Sequence, residues 1–120
     1  MPRDARAYLT DIVDSCEAIG AAIVDLDLPG YQANRLIRSS VEREFIIIGE
    51  AVAALARVDA DVFERITRAR RIVDFRNQLT HEYPTVDDVI VWAIAERDAP
   101  VLHGECVAAL SRLSGANETN

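Results

Sequence analysis

Arg76 and His81 are the two residues of this 120-residue chain whose types and spacing fit a definite chemistry. A guanidinium can hold a phosphate through paired hydrogen bonds, and an imidazole can accept or release a proton near neutral pH. RNA cleavage without a metal needs both abilities, because the 2′-hydroxyl loses a proton, the phosphorane carries negative charge and the 5′-oxygen gains a proton. His81 is therefore a candidate general acid or base, and Arg76 is a candidate for charge stabilisation.

The Arg-x4-His spacing alone is not specific. With 13 arginines and 2 histidines in the chain, it arises by chance in roughly one of five such sequences. Arg97 and His103 have almost the same spacing, although Pro100 lies between them and no tyrosine follows two places later. An arginine beside an apolar stripe is often a surface residue, and a histidine at a helix end often serves only the helix dipole.

The residues around the pair predict a helix over about 67–82. Asn77 lies four residues before His81, on the same helical line, and could orient the phosphate or the imidazole. On an ideal helix Arg76 and His81 point about 140° apart, so one straight helix does not bring both to one phosphate. Either the helix loosens before Pro84, or two copies of the chain face each other in a dimer.

The rest of the chain has helical periodicity throughout, which predicts an all-α fold. One apolar stripe marks a helix over 3–26, residues 28–31 form a turn, and a near-heptad stripe marks a second long helix over about 34–57. Ile46 and Ile47 widen its apolar surface, as in a central bundle helix or a dimer contact. Glu50 lies in the same apolar region, where it either reaches the solvent edge or orients Arg76 or His81.

Capping residues and prolines divide the second half of the chain. Asp59 is a predicted N-cap for a short helical turn, and Thr85 is a predicted N-cap for the last helix. Pro100 should kink that helix or split it. Residues 116–120 form a polar tail that we expect to fray, which leaves one domain over 1–115.

Charge and composition limit the possible partners. The net charge is −7, yet Arg65, Arg68, Arg70, Arg71 and Arg76 lie in a 12-residue window with one acid, Asp74. This window is either a basic rim for RNA or an ordinary solvated face in a chain without lysine.

Metal, disulfide and membrane signals are weak in this sequence. The distant Cys16 and Cys106 fit small buried residues, and the two histidines form no metal-ligand pattern. No apolar run has the length of a membrane span and no signal peptide is evident, so we expect a cytoplasmic protein.

Three segments in order resemble one family. Residues 76–83, Arg-Asn-Gln-Leu-Thr-His-Glu-Tyr, are similar to the Arg-Asn-x-x-x-His-x-Tyr signature of HepT-like proteins, a branch of the HEPN superfamily. Residues 43–51 resemble that family's Arg-x-x-x-Ile-Ile-Gly-Glu-Ala stretch, and residues 91–102 resemble its Val-Trp…Arg-Asp-x-Pro-x-Leu stretch. The resemblance extends over about residues 3–113.

The resemblance implies an antiparallel HEPN-type bundle of four to five helices and a homodimer that brings two motifs into one cleft. It also implies a metal-independent ribonuclease that is the toxin of a toxin–antitoxin pair. Its partner would be an MNT-type nucleotidyltransferase antitoxin, which modifies the tyrosine of His-x-Tyr, here Tyr83, with AMP. No cofactor is implied.

Glu82 departs from the family pattern, which often has glycine at this position. An acid beside His81 could raise the pKa of the imidazole or hinder the approach of RNA. One alternative is therefore a catalytically silent helical module that docks a nucleotidyltransferase. Another is a purely structural dimerisation domain, which would explain the apolar second helix but not the Arg-Asn-x-x-x-His-x-Tyr motif.

Overall fold

The computed structural model describes residues 3–81 and 86–118, with side chains up to residue 115. All regular elements of this part are helical, which confirms the predicted all-α bundle. The elements in chain order are α1 (Ala5–Ile23), α2 (Leu28–Ala33), α3 (Arg35–Val58), α4 (Ala60–Glu64), α5 (Ala69–Thr80), α6 (Asp88–Ala93), a π-helical segment (Ile94–Asp98) and α7 (Ala99–Glu118).

Helix α3 is the centre of the bundle and packs against both α1 and α5, while α7 packs on α1. Its predicted stripe is confirmed, because Val41, Phe45, Ile48, Val52 and Leu55 are all buried. Ile46 and Ile47 are partly buried, as a helix with neighbours on two sides requires. The completely buried aliphatic side chains of the core come from several helices: Leu9, Ile12, Ile19, Val41, Ile48, Val52, Leu55 and Val91.

Side-chain caps set the starts of the first four helices. The Asp4 carboxylate accepts a hydrogen bond from the Ala7 N–H, and the Asn34 side chain accepts one from Ile37. Asp59 caps α4 by accepting from the Val62 N–H at 3.2 Å, as predicted. Residues 28–31 were wrongly predicted as a simple turn. Asp27 caps a short helix there, and a proline in its first turn suits a helix start because its missing N–H is not needed.

Helix α5 starts at Ala69 without a side-chain cap. Arg68, directly before it, has a left-handed backbone with φ 56°, the one positive φ among the described residues. The preceding residue, Thr67, donates from its backbone N–H and its hydroxyl to the Glu105 carboxylate of α7, at 3.0 and 2.6 Å. These two hydrogen bonds attach the beginning of the motif helix to the last helix.

The last helical unit has Asp87 as its N-cap, which accepts a hydrogen bond from the Val89 N–H at 2.9 Å. The predicted cap, Thr85, lies outside the described residues. Pro100 does not split the unit. Instead, the turn before it widens into the π-helical segment, where the Ala99 N–H donates to the carbonyl of Ile94, five residues earlier. A π turn of this kind accommodates the irregularity that a proline causes in a helix.

Cys16 of α1 and Cys106 of α7 are free and buried, which confirms their prediction as small core residues. Burial raises the pKa of each thiol to about 12, and the proximity of Cys106 contributes to the rise at Cys16. Thiols with such pKa values are poor nucleophiles at neutral pH. Among the described helices, none combines the length and apolarity that crossing a membrane requires.

Candidate functional site

Arg76 lies where α5 comes closest to α3. The residue that it meets there is Gly49, which is buried and has no side chain. A Cβ atom added to Gly49 would be 2.1 Å from Cβ of Arg76 and 2.6 Å from its Cγ. Real Cβ atoms essentially never show contacts this short, so only glycine allows the two helices to be this close. The base of the Arg76 side chain is therefore fixed against the backbone of α3.

The Arg76 side chain is partly buried, and its Nε atom is inaccessible to solvent without a hydrogen-bond partner in the described part of the chain. It forms no ion pair with any acid whose position the structure describes. A buried N–H without a partner costs free energy, so such a group in a folded protein calls for an explanation. An anion that binds to the guanidinium is one explanation, since no acid among residues 3–81 and 86–115 forms an ion pair with this arginine.

His81 lies just beyond the end of α5, with an extended backbone of φ −83° and ψ 142°. Its N–H still donates to the Asn77 carbonyl at 3.0 Å, so the residue remains attached to the last turn. The side chain is exposed and forms no hydrogen bond or ion pair with any described residue. The helix thus ends before His81, which is the first of the two alternatives for overcoming the 140° separation.

The two predicted supporting residues do not contact the pair through their side chains. Asn77 is partly buried, and its contact with His81 is made by its backbone carbonyl. Glu50 is exposed and has no hydrogen bond or ion pair with Arg76, His81 or any other residue that the structure describes. Glu50 therefore lies at the solvent edge of α3, as the simpler of its two interpretations has it.

The arginine window of residues 65–76 covers the segment before α5 and the first two turns of that helix. Arg65, Arg68, Arg70 and Arg71 are exposed, and none forms an ion pair within the described ranges. The Arg70 guanidinium lies over the Phe63 ring of α4, 5.6 Å from its centroid. Four exposed arginines without an ion pair to a described acid thus lie at the start of the motif helix, in a chain with a net charge of −7.

Arg68 and Arg71 border a cavity of about 450 Å³ between α5 and α7. Its apolar lining includes Phe45 and Phe75, whose rings pack edge to face with centroids 5.3 Å apart. Neither Arg76 nor His81 is among the residues that line it.

The other arginine and histidine of similar spacing form no comparable site. His103 lies within α7, and its Nε2 atom is 2.9 Å from the Glu17 carboxylate of α1. Arg97 is exposed in the π-helical segment.

Tyr83 and Glu82, which follow His81 in the motif, lie outside the described residues. Within residues 3–81 and 86–118, no group of three or more His, Cys, Asp or Glu side chains could hold a metal ion. Gly49 was not predicted to have a role, although an isolated glycine inside an apolar helical stripe is the usual signal of a close packing contact.

Comparison with known proteins identifies a family. The model of the family described as Ribonuclease HepT-like matches residues 12–108. "Putative RNase MJ1380" of Methanocaldococcus jannaschii is 31% identical over 103 residues, which cover 86% of this chain and 94% of that protein. "Putative RNase MJ0125" of the same organism is 30% identical, with 86% of this chain and 88% of that protein covered.

A more distant relative comes from a bacterium. "Putative RNase TTE0752" of Caldanaerobacter subterraneus subsp. tengcongensis is 26% identical over 97 residues, which are 81% of this chain and 86% of that protein. No solved structure matches the chain at a comparable level of significance. Since the family model covers most of the sequence and relatives of at least 30% identity match nearly along their whole length, the chain belongs to the HepT-like ribonuclease family.

Proposed function

We propose that this protein is a metal-independent endoribonuclease and the toxin of a toxin–antitoxin pair, with Arg76 and His81 as its catalytic residues. The observation that carries the proposal is the state of these two side chains. Among the residues that the structure describes, the buried Nε of Arg76 has no hydrogen-bond partner, and neither does the exposed side chain of His81 at the helix end. Groups that are free of internal partners can serve a substrate, and their types are those that phosphate cleavage requires.

The proposed reaction is an intramolecular transesterification. The 2′-oxygen attacks phosphorus as a His81 imidazole removes its proton, and the bond between phosphorus and the 5′-oxygen breaks. An imidazolium returns a proton to the leaving 5′-oxygen, so the products are a 2′,3′-cyclic phosphate and a 5′-hydroxyl. The Arg76 guanidinium stabilises the negative charge on the phosphorane through charge-assisted hydrogen bonds.

A homodimer would supply both proton-transfer groups. One imidazole cannot at the same moment accept a proton on one side of phosphorus and donate one on the other, whereas two copies of His81 in one cleft can divide these roles. The resemblance to HEPN proteins, which bring two motifs into one cleft, also favours a site shared by two chains. Sedimentation analysis should therefore give twice the monomer mass of 13.3 kDa.

Cleavage of a single-stranded RNA by the purified protein in EDTA tests the activity. We expect fragments with cyclic phosphate and 5′-hydroxyl ends from the native chain, and none from Arg76→Ala or His81→Ala proteins that keep native circular dichroism and sedimentation. Cleavage that persists in both variants would contradict the assigned roles. Inactivity of all three proteins would favour the alternative, a silent module that docks a nucleotidyltransferase.

Growth of cells that lack an antitoxin tests the role as a toxin. Induction of the native chain should arrest growth, and induction of the Arg76→Ala or His81→Ala protein to equal levels should not. Normal growth with a native chain that cleaves RNA in vitro would separate the ribonuclease from the toxin assignment.

Tyr83 is the proposed site of control. In this step the phenol oxygen attacks the α-phosphate of ATP, pyrophosphate leaves and the phenol proton is released, so that AMP is attached two residues after His81. The added anion would occupy the phosphate site near Arg76. Incubation with an MNT-type nucleotidyltransferase encoded beside the gene, together with ATP, should add the mass of AMP to the Tyr83 peptide. The Tyr83→Phe protein is the control, and an unchanged native peptide would refute this step.

A further inference from the structure

Gly49 sits at the closest contact between α3 and the motif helix. The atoms that a Cβ at this position would strike are Cβ and Cγ of Arg76, at 2.1 and 2.6 Å, and Cα of Arg76 is only 3.5 Å away. These atoms belong to the base of the side chain and cannot swing aside as the end of a flexible chain would. A methyl group at position 49 would therefore displace α5 itself or push Arg76 into another rotamer.

A second contact between the same helices limits how α5 can respond. Phe45, one turn before Gly49 on α3, packs edge to face on Phe75, the residue before Arg76. Both rings are buried. Because this aromatic contact opposes rotation of α5, a displacement caused at residue 49 would fall on Arg76, whose Nε is already buried without a described partner.

We propose that Gly49 is a positioning residue of the nuclease site, which sets the direction of the Arg76 guanidinium by allowing direct contact between α3 and α5. The inference rests on the proposed catalytic role of Arg76. It does not make Gly49 a catalytic residue, since glycine offers no side chain to the substrate. Guanidinium geometry matters here because paired hydrogen bonds to a phosphate are directional, and a misplacement of about 1 Å can reduce a rate about 100-fold.

The test is Gly49→Ala, with Gly20→Ala and Gly104→Ala as matched controls. Both control glycines lie inside long helices, and a Cβ there would meet no described heavy atom within 4 Å. We expect Gly49→Ala to lower kcat for RNA cleavage by about 10- to 100-fold with a smaller change in KM. The controls should cleave RNA at the native rate and melt higher, by ~2–6 °C, because alanine favours helix.

A spectroscopic signal separates positioning from a general loss of structure. The ¹⁵N-detected Nε–H resonance of Arg76, identified by its loss in Arg76→Lys, should shift in Gly49→Ala and stay unchanged in both controls. An Arg76 resonance and a kcat that are both native in Gly49→Ala would overturn the inference. If the native chain does not cleave RNA, the proposed function fails, while the resonance still shows whether Gly49 sets the position of Arg76.

The experiment also allows for a variant that does not fold. Gly49→Ala can be made in a chain that already carries Gly20→Ala and Gly104→Ala, whose added helix propensity offsets part of the cost of the new methyl group. If that protein is also unfolded, the test is a hydrogen-exchange measurement on the native protein. Its Arg76 Nε–H should exchange with water more slowly than that of the exposed Arg97, and equal exchange rates would overturn the inference.

Discussion

Two arginine–histidine pairs of nearly equal spacing occupy different positions in this bundle. Arg97 and His103 belong to one continuous helical unit, where the imidazole is paired with Glu17 of α1 at 2.9 Å. Arg76 and His81 do not share one helix, because Arg76 packs against α3 from within α5 and His81 lies beyond the end of α5. The imidazole of His103 thus has a partner on a neighbouring helix, whereas that of His81 has none among the described residues.

The largest difference between the pairs should appear in catalysis. We expect His81→Ala to lower the rate of RNA cleavage by about 10²- to 10⁴-fold, the usual contribution of a general acid or base. His103→Ala should change it by less than about twofold, because its imidazole serves a surface ion pair. Initial rates on one RNA at equal protein concentration measure both effects. Equal losses in the two variants would remove the distinction.

The arginines should differ in their sensitivity to side-chain shape. Lysine keeps the charge but lacks the planar fork that binds a phosphate through two hydrogen bonds. We therefore expect Arg76→Lys to lower kcat/KM by about 10- to 100-fold, and Arg97→Lys to leave it unchanged. Full activity of Arg76→Lys would show that Arg76 acts only as a point charge.

The ion pair of the second histidine should contribute little to stability. Glu17 is 62% exposed and His103 is 35% exposed, so water screens their interaction. A double-mutant cycle with Glu17→Gln and His103→Ala should give a coupling free energy below ~1 kcal/mol in denaturant titrations at neutral pH. A larger value would mean that the contact between Glu17 and His103 is a main support of the packing of α1 on α7.

Glu42, unlike Glu17, is an acid that forms no hydrogen bond with a described residue. Burial raises its pKa, Asp88 raises it further, and Arg38 lowers it. The folded chain therefore binds this proton more readily than the unfolded chain, and stability declines as the pH rises through the ordinary carboxyl range towards the raised pKa. Glu42→Gln should melt slightly higher than the native chain at pH 7, by less than about 4 °C, and the difference should vanish in acid.

Thermal melting from pH 3 to pH 7 measures this small effect, with Glu50→Gln as the control, since Glu50 is exposed and has no hydrogen bond or ion pair with a described residue. A native chain that melts higher than Glu42→Gln at pH 7 would contradict a raised pKa. This pH range is informative because the pKa shift affects only the carboxyl group of Glu42, so the two proteins should differ only where that group ionises.

Sequence patterns were sufficient for the regular parts of the fold. The stripe from Val41 to Leu55 correctly predicted the buried face of α3, and Asp59 was correctly predicted as a cap. Short-range features with competing outcomes were not predictable. Residues 28–31 can form a turn or a capped helix, and a proline such as Pro100 can kink, split or widen a helix. The choice among these depends on tertiary packing.

For the candidate site, the sequence supplies the residues, whose roles stay predictions, but not the geometry around them. The types and order of Arg76, Asn77 and His81 come directly from the sequence, and so does the disturbance of the helix before a proline. The contact of Arg76 with Gly49 depends on how α3 and α5 cross, and no local pattern contains a crossing angle. For Glu50 the sequence left two interpretations open, and its exposure agrees with the one that places it at the solvent edge.

The π-helical segment gives the last helical unit a tolerance to changes in length that α3 lacks. A π turn closes its hydrogen bond over five residues, as Ala99 does with Ile94, so it holds the equivalent of one inserted residue. Deletion of one residue there would restore an α turn and leave Val91 and Cys106, on either side, facing the core. A deletion in α3 ahead of Gly49 would instead rotate the rest of that helix by about 100° and turn Gly49 away from Arg76.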